Sequence, residues 1–314
     1  MKAMIFAAGL GTRLKPLTDT IPKALVPVGG RPLIEIVIDR LKTAGFDDIV
    51  INVHHFADMI EEYVRSRHDF GIRIRFSDER DALLDTGGGI LHAKSLLEGA
   101  GHFLVHNVDI LSDVDLKSFA ASAASDALAT LLVSRRQTSR YLLFDNGMHM
   151  AGWTNVSTGE IRSPYAGDGK AYVEGGKAIV GADARHDNLL LPGMPAVSGY
   201  AFSGIHLISD RIFPLLEQYA ESLSGGLWHS AILPVPGPLP FSGANVASMP
   251  QASGKGTPYK FSITDFYIDM CASQRIDGYV PGHLDLMDVG KISSLDEAEE
   301  FIRAHQCLAT DMPG

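Results

Sequence analysis

Cysteine is scarce in this chain. Only Cys271 and Cys307 occur among 314 residues, so no disulfide framework is expected to hold the fold. That scarcity fits a reducing compartment, and a cytoplasmic location is the expectation. Positive charge is also in deficit, with Lys+Arg 27 against Asp+Glu 37 and a formal net charge of −10. A protein that wraps nucleic acid needs a basic face to displace condensed counterions, so no nucleic-acid partner is expected. A small basic pocket for a phosphorylated molecule remains compatible with that balance. Long apolar runs are missing too. The run Met4–Leu10 is closed at once by Gly11, Thr12 and Arg13, too short for a secretory core and well below the about 20 apolar residues of a membrane span. No membrane partner is expected. Nor is there an internal repeat; in particular, no hexapeptide period marks a β-helix.

What is present is a chain that is 46% hydrophobic and long enough for one large or two small domains. A chain of this length buries about three-quarters of its unfolded surface without help from metals or disulfides. Ala3–Ala8 reads as a buried strand running into Gly9. Leu33, Ile34, Ile36, Val37, Ile38 and Leu41 recur near helical spacing and stop at Gly45. Strands at 49–53 and 72–76 bracket a helix at 57–67; a helix at 90–97, a strand at 103–106, a helix at 116–125 and a strand at 127–134 continue the alternation. Alternating strands and helices imply right-handed crossovers, and hence an α/β, Rossmann-like mixed sheet, mostly parallel and covered by helices on both faces.

After about residue 135 the pattern changes. Tyr141–Phe144 and His149–Trp153 flank Asn146-Gly147, a pair that supplies the positive φ angles of a hairpin turn. Further strands are expected at 171–173, 179–181 and 199–206, and helices at 212–219, 264–272 and 295–304, the last behind the acidic first turn Asp296/Glu297. Ser262 with Asp265 reads as a helix N-cap. The stretches 165–195 and 222–258 are too long for ordinary connections and read as insertions.

The chemistry concentrates in Ala7–Val28, AAGLGTRLKPLTDTIPKALVPV. A buried strand runs into Gly9-Leu10-Gly11-Thr12-Arg13, where glycines let backbone N–H groups close on an anion. A dinucleotide site would place a third glycine where Leu14 stands, and a P-loop would need Gly-Lys-Ser/Thr; neither is present. Instead, Arg13 can grip two phosphate oxygens and Lys23 can serve as a mobile point charge on a third.

Gly9, Gly11, Thr12, Arg13, Pro16, Thr18, Pro22, Lys23, Leu25, Pro27 and Val28 together resemble the signature of the sugar-1-phosphate nucleotidyltransferases. The resemblance implies the nucleotide-diphospho-sugar transferase fold as a single domain over 1–314, with a nucleotide-binding half at 1–135 and a sugar-binding half at 136–314. It implies that Ala8, Gly9, Gly11, Thr12 and Arg13 hold the triphosphate of a nucleoside triphosphate and that Lys23 contacts the phosphates around the new bond. Arg13 and Lys23 are thus the catalytic candidates. Asp85-Thr86-Gly87-Gly88-Gly89 falls where the family has its base-recognition loop, and looks most like that of uridylyltransferases acting on N-acetylmuramate 1-phosphate. His106-Asn107-Val108-Asp109 corresponds to the family's Asn-Gly-Asp segment, with Val108 in place of glycine. Asp109 and Asp288 of Met287-Asp288-Val289-Gly290 are the implied Mg²⁺ ligands. Asn107 and Gly204, with Lys23, are the sugar-phosphate candidates.

UTP is the favoured donor. Guanylyl transfer to mannose 1-phosphate is the near alternative, cytidylyl transfer to phosphocholine a more distant one, and a catalytically silent binding subunit on the same fold stands as a different class. The composition leaves a homo-oligomer open. His54-His55 lacks a third ligand at regular spacing, and Trp153 and Trp228 read as packing or interface residues. Glu174 sits in a poorly matching segment and is given no role.

Overall fold

The computed structural model describes residues 1–165, 170–172, 196–225 and 259–305. Its first strand, β1 (Lys2–Phe6), leads through a loop to the two-residue strands β2 (Pro27–Val28) and β3 (Arg31–Pro32), then α1 (Leu33–Thr43) and β4 (Asp48–Val53). Next come α2 (Ala57–Ser66), β5 (Arg73–Asp78), α3 (Asp85–His92), α4 (Lys94–Leu97), β6 (His102–Asn107), β7 (Ile110–Ser112), α5 (Leu116–Ala121) and β8 (Ala129–Ser134). The later part contributes β9 (Arg140–Phe144), β10 (Met150–Asn155), β11 (Glu160–Arg162), β12 (Lys170–Tyr172) and β13 (Ser198–Ser209). It closes with α6 (Ile212–Gly225), α7 (Ile263–Met270), β14 (Ile276–Tyr279), β15 (Leu286–Asp288) and α8 (Leu295–Ala304).

One mixed sheet runs β12-β11-β10-β9-β13-β6-β1-β4-β5, with β8 joined to β13 and β14. Its β6-β1-β4-β5 core is parallel, and β13 pairs antiparallel with β6, β8 and β9. Side chains alternate along each strand, so the sheet divides the core in two. Ala3, Ile5, Ile49 and Ile51 face α1, α2 and α8 on one side, while Met4, Val50, Phe103 and Val105 face α3, α6 and α7 on the other. This is the helix-covered α/β sheet expected from the alternating runs.

The element boundaries show where local pattern was overruled. The helix read as beginning at 90 begins at Asp85, because the three glycines are wound into its first turns. The first strand stops at Phe6 rather than Ala8, since Ala7 and Ala8 turn their N–H groups to a side chain instead of a neighbouring strand. The helix read to 125 ends at Ala121; its start is set by Asp115, whose carboxylate accepts from Lys117 N and Ser118 N. The hairpin stands, its turn held by Asp145 accepting from the N–H groups of Gly147 and His149. Ser262 caps α7 by accepting from Thr264 N. The expected strand at 179–181, Glu174, Trp228, Cys307 and most of both insertions lie outside the described residues. Among the described residues, no helix is long and apolar enough to cross a membrane.

Candidate active site

The glycine loop leaves β1 at the carboxyl edge of the parallel strands, where open α/β sheets take their ligands. Its first residues are held from below. The Asn52 side-chain oxygen accepts from Ala7 N at 2.7 Å and Ala8 N at 3.2 Å, and its amide donates to Glu79 Oε1 at 2.8 Å. Burial pushes the Glu79 carboxyl above its ordinary value, with Asn52 pulling it back. Asn52 and Glu79 were not singled out from sequence; the available signal was one polar residue inside the apolar run Ile49–Val53.

Gly11 sits at φ +61°, where a Cβ would lie 2.8 Å from Thr18 Cγ2 and 3.1 Å from Lys23 Cβ. Thr18 donates its hydroxyl to the Gly11 carbonyl at 2.8 Å, folding the loop back on itself. Glycine at this position is therefore required by both backbone angle and space. At Gly9 a Cβ would meet nothing within 4 Å. Thr12 and Arg13 follow in an exposed 3-10 turn.

Lys23 and Asp109 form an ion pair, with side chains 11% and 17% exposed. Asp288 reaches the same place through the β7–β15 ribbon. It stands opposite Ile110, and Val289 N donates to the Asp109 carbonyl at 2.8 Å. Gly290 completes the approach: a Cβ there would lie 2.6 Å from both Arg13 Nη2 and Asp288 Oδ1. Arg13, Lys23, Asp109 and Asp288 are thus gathered at one edge. The arrangement offers two cations for phosphate oxygens and two carboxylates for a hard divalent ion.

Asn107 ends β6 beside them. Gly204, at φ +78°, lies against it so closely that a Cβ would come 2.5 Å from Asn107 Nδ2. Val108, in place of the usual glycine, is buried and donates its N–H to the Phe6 carbonyl at 3.1 Å. His106 donates from Nδ1 to the Asn107 carbonyl at 2.8 Å. Burial pushes His106 down to about 4, so its ring is neutral near pH 7.

The Asp85–Gly89 segment forms the first turns of α3. Gly87, Gly88 and Gly89 are buried in α3. A Cβ on Gly87 would overlap the Phe261 ring, one on Gly88 the Tyr259 carbonyl, and one on Gly89 would come 2.9 Å from Glu79 Oε1. The N–H groups of Gly87 and Gly88 donate to the Phe261 carbonyl at 2.9 and 3.3 Å. The small residues here admit the lead-in to α7, which lies against Gly87 and Gly88. Thr86 Oγ1 accepts from Ile263 N at 2.9 Å, and Asp85 stays exposed at the helix start. His54 bonds the Glu79 carbonyl through Nδ1 at 2.7 Å, and His55 packs on Phe56.

A cavity of about 480 Å³ opens between α7 and the β9–β10 hairpin, lined by Arg136, Arg140, Tyr141, Trp153, Arg162 and Phe202 among others. Phe202 lies two residues before Gly204 on β13, which ties the cavity to the Asn107 end of the site. Arg162 pairs with Asp265 at 2.6 Å and sits 5.9 Å from the Trp153 ring centre. Arg136 donates to the Phe202 carbonyl at 3.1 Å. Three arginines, with Asp265, thus line one cavity in a chain of net charge −10. A second cavity, of about 470 Å³, lies among Met1, Lys2, Asp47 and His102 at the amino-terminal strand edge, remote from these groups.

The model of a protein family described as Nucleotidyl transferase matches residues 2–142. Over 173 residues the chain is 49% identical to an N-acetylmuramate alpha-1-phosphate uridylyltransferase of Caulobacter vibrioides, covering 53% of this chain and 69% of that protein. Over 125 residues it is 46% identical to the protein of the same description from Neisseria meningitidis; the match covers 40% of this chain and about half, 54%, of the relative. The solved structure of HddC from Yersinia pseudotuberculosis complexed with GMP-PN superposes with a TM-score of 0.61 at 19% identity, covering 96% of this chain and 99% of that one, a likeness of fold.

Proposed function

The chain belongs to the sugar-1-phosphate nucleotidyltransferase family, an enzyme family of the transferase class, and from that premise we propose that it joins UTP to N-acetylmuramate 1-phosphate, releasing pyrophosphate. The observation that carries this reading is the convergence of Arg13, Lys23, Asp109 and Asp288 at the carboxyl edge of β1 and β6.

On this reading an oxygen of the sugar phosphate attacks the α-phosphorus of the nucleotide. One P–O bond forms, the bond from the α-phosphorus to the bridging oxygen breaks, and pyrophosphate leaves with the electron pair. No side-chain nucleophile takes part, so positioning and charge neutralisation do the work. Arg13 neutralises the departing pyrophosphate. Lys23 screens the repulsion between the two reacting phosphates. The loop N–H groups from Ala8 to Thr12 cradle the triphosphate, and the open space over Gly9 leaves room for it. Asp109 and Asp288 suit Mg²⁺ in donor type, since Mg²⁺ takes one or two carboxylates together with phosphate oxygens. When bound, Mg²⁺ supplies positive charge to the phosphate oxygens.

Residues 1–135 take the nucleotide and residues 136–314 the sugar, within one domain. Asp85 and Thr86 stand nearest the base. Arg136 and Arg140 of the cavity, whose third arginine is paired with Asp265, favour an acidic sugar, because muramate carries a carboxylate that a glucose or mannose phosphate lacks. The test is pyrophosphate release from UTP, GTP, CTP and dTTP, each paired with the 1-phosphates of N-acetylmuramate, N-acetylglucosamine, glucose and mannose. UTP with N-acetylmuramate 1-phosphate is expected to be fastest. GTP with mannose 1-phosphate leading would replace this reading with guanylyl transfer, and nucleotide binding without release from any pair would make the chain a silent binding subunit.

A further inference from the structure

Two buried polar side chains, Asn52 and Glu79, lie beneath the glycine loop and take no part in the bond-making described above. Asn52 is 2% exposed and Glu79 3%. Polar groups this deep are costly unless they are partnered, and here the partners fix the pair in one orientation. Asn52 Oδ1 accepts from Ala7 N and Ala8 N, so its amide nitrogen must face the other way, where it donates to Glu79 Oε1 at 2.8 Å. The second carboxyl oxygen, Oε2, accepts from Leu84 N at 3.3 Å.

Glu79 is fixed along its main chain as well. Its N–H donates to the carbonyl of Val53, the residue after Asn52, at 2.8 Å, and its own carbonyl accepts from Ala82 N at 3.1 Å. Gly89 of α3 closes on the pair: a Cβ there would lie 2.9 Å from Glu79 Oε1 and 3.4 Å from Asn52 Nδ2. Asp85, one residue after the Leu84 anchor, stands at φ +62°. A left-handed angle is uncommon for a residue with a side chain and persists only where the surroundings enforce it.

We propose that Asn52 and Glu79 are positioning residues for the nucleotide, a rigid link that sets the phosphate loop and the base-side turn in one fixed relation. The inference rests on the nucleotidyl-transfer reading and deepens it, since that reading assigns no residue to this task. One end of the link holds Ala7 and Ala8, where the triphosphate loop begins. The other holds Leu84, which leads into Asp85 and Thr86 nearest the base. A nucleoside triphosphate gripped at both ends presents its α-phosphorus correctly only if the two grips keep their separation.

The chemistry of the pair supplies the test, because its donor and acceptor can be exchanged. Glu79→Gln alone sets an amide N–H against either the Asn52 amide or the Leu84 N–H. Asn52→Asp alone sets two carboxyl groups face to face. With both substitutions together, the carboxylate at position 52 accepts from Ala7 N, Ala8 N and the amide at position 79, whose oxygen accepts from Leu84 N. Every partner is then restored.

Pyrophosphate release is measured with UTP and N-acetylmuramate 1-phosphate, and UTP binding by calorimetry on the same full-length proteins. Each single variant should lose about 10²-fold in kcat/KM for UTP, the cost of a misplacement of about 1 Å, with UTP bound more weakly. The KM for the sugar phosphate should stay within about threefold of the parent, and the double variant should regain at least about tenfold of the loss. A merely structural role would shrink the folded fraction, lowering kcat with both KM values unmoved. Gly89→Ala pushes on Glu79 Oε1 while favouring the helix; it should weaken UTP binding, and it decides the matter if the single polar variants do not fold. Unchanged UTP affinity, losses that the double variant does not recover, or equal rises in both KM values overturn the inference. A parent that binds UTP but releases no pyrophosphate with any sugar phosphate fells the function proposed above, and the UTP affinities of the same variants still decide this one.

Discussion

Gly290→Ala separates positioning from stability in a single methyl group. The new Cβ would stand 2.6 Å from Arg13 Nη2 and 2.6 Å from Asp288 Oδ1. Ordinary carbon contacts begin near 3.4 Å, so each group must retreat by roughly 0.8 Å. Both are the free ends of flexible side chains, so the fold accommodates the change at little cost. Replacing a glycine that has no left-handed angle also stabilises by about 0.4–1 kcal/mol through the unfolded chain. Catalysis has no such latitude. A misplacement of about 1 Å costs on the order of 10²-fold in rate, or about 2.7 kcal/mol of transition-state stabilisation. The expectation is therefore kcat/KM down about a hundredfold in pyrophosphate release, with Tm within ~3 °C of the parent. Two other glycines calibrate the result. Gly282→Ala meets nothing within 4 Å and should change neither quantity. Gly88→Ala drives a Cβ into the Tyr259 backbone carbonyl and should lower stability outright. Gly290→Ala activity within threefold of the parent, or a loss that tracks unfolding, would refute the placement of Arg13 and Asp288 around one reaction centre.

Lys23→Ala should cut turnover by at least about 10³-fold at saturating substrates while the chain stays folded, since it removes a cation from the phosphates; Asp109→Asn should raise the Mg²⁺ concentration needed for half-maximal rate, and steady-state titration checks both. Asn52→Leu strands the N–H groups of Ala7 and Ala8 and a partner of Glu79, so urea unfolding should show a loss of about 3 kcal/mol. Buried His106 and His206 are pushed down to about 4 and about 3, with His206 bonded to the Tyr267 hydroxyl at 2.8 Å. A histidine with a depressed native pKa contributes stability that is intact above about pH 6.5, the unfolded value, and lost as pH falls through the native one. Each should therefore steepen acid destabilisation by up to about 1.4 kcal/mol per pH unit between pH 6.5 and 4, and His206→Gln should flatten that limb in urea unfolding measured at several pH values.

The candidate site residues were more legible than their supports. Gly11, Arg13 and Lys23 stand in one short motif, and the glycine angle that the loop needs is a property of that residue itself. Asp288 was legible as a candidate by resemblance, but its arrival beside Asp109 depends on the register of a three-residue ribbon between distant segments. Asn52 was hidden because its task lies across a parallel strand pair. Gly87–Gly89 were legible as small residues, but their close packing against the lead-in to α7 depends on where Phe261 falls.

Alternating apolar runs, helical spacing and turn residues act between near neighbours, and from these alone the helix-covered sheet and its hairpin were determined. Which residues from opposite ends of the chain meet was decided by tertiary structure: Arg13 with Asp288 around Gly290, and Thr86 with Ile263. Those meetings follow from strand order and register, which are settled by the packing of two whole cores on either side of the sheet and not by any local stretch of sequence.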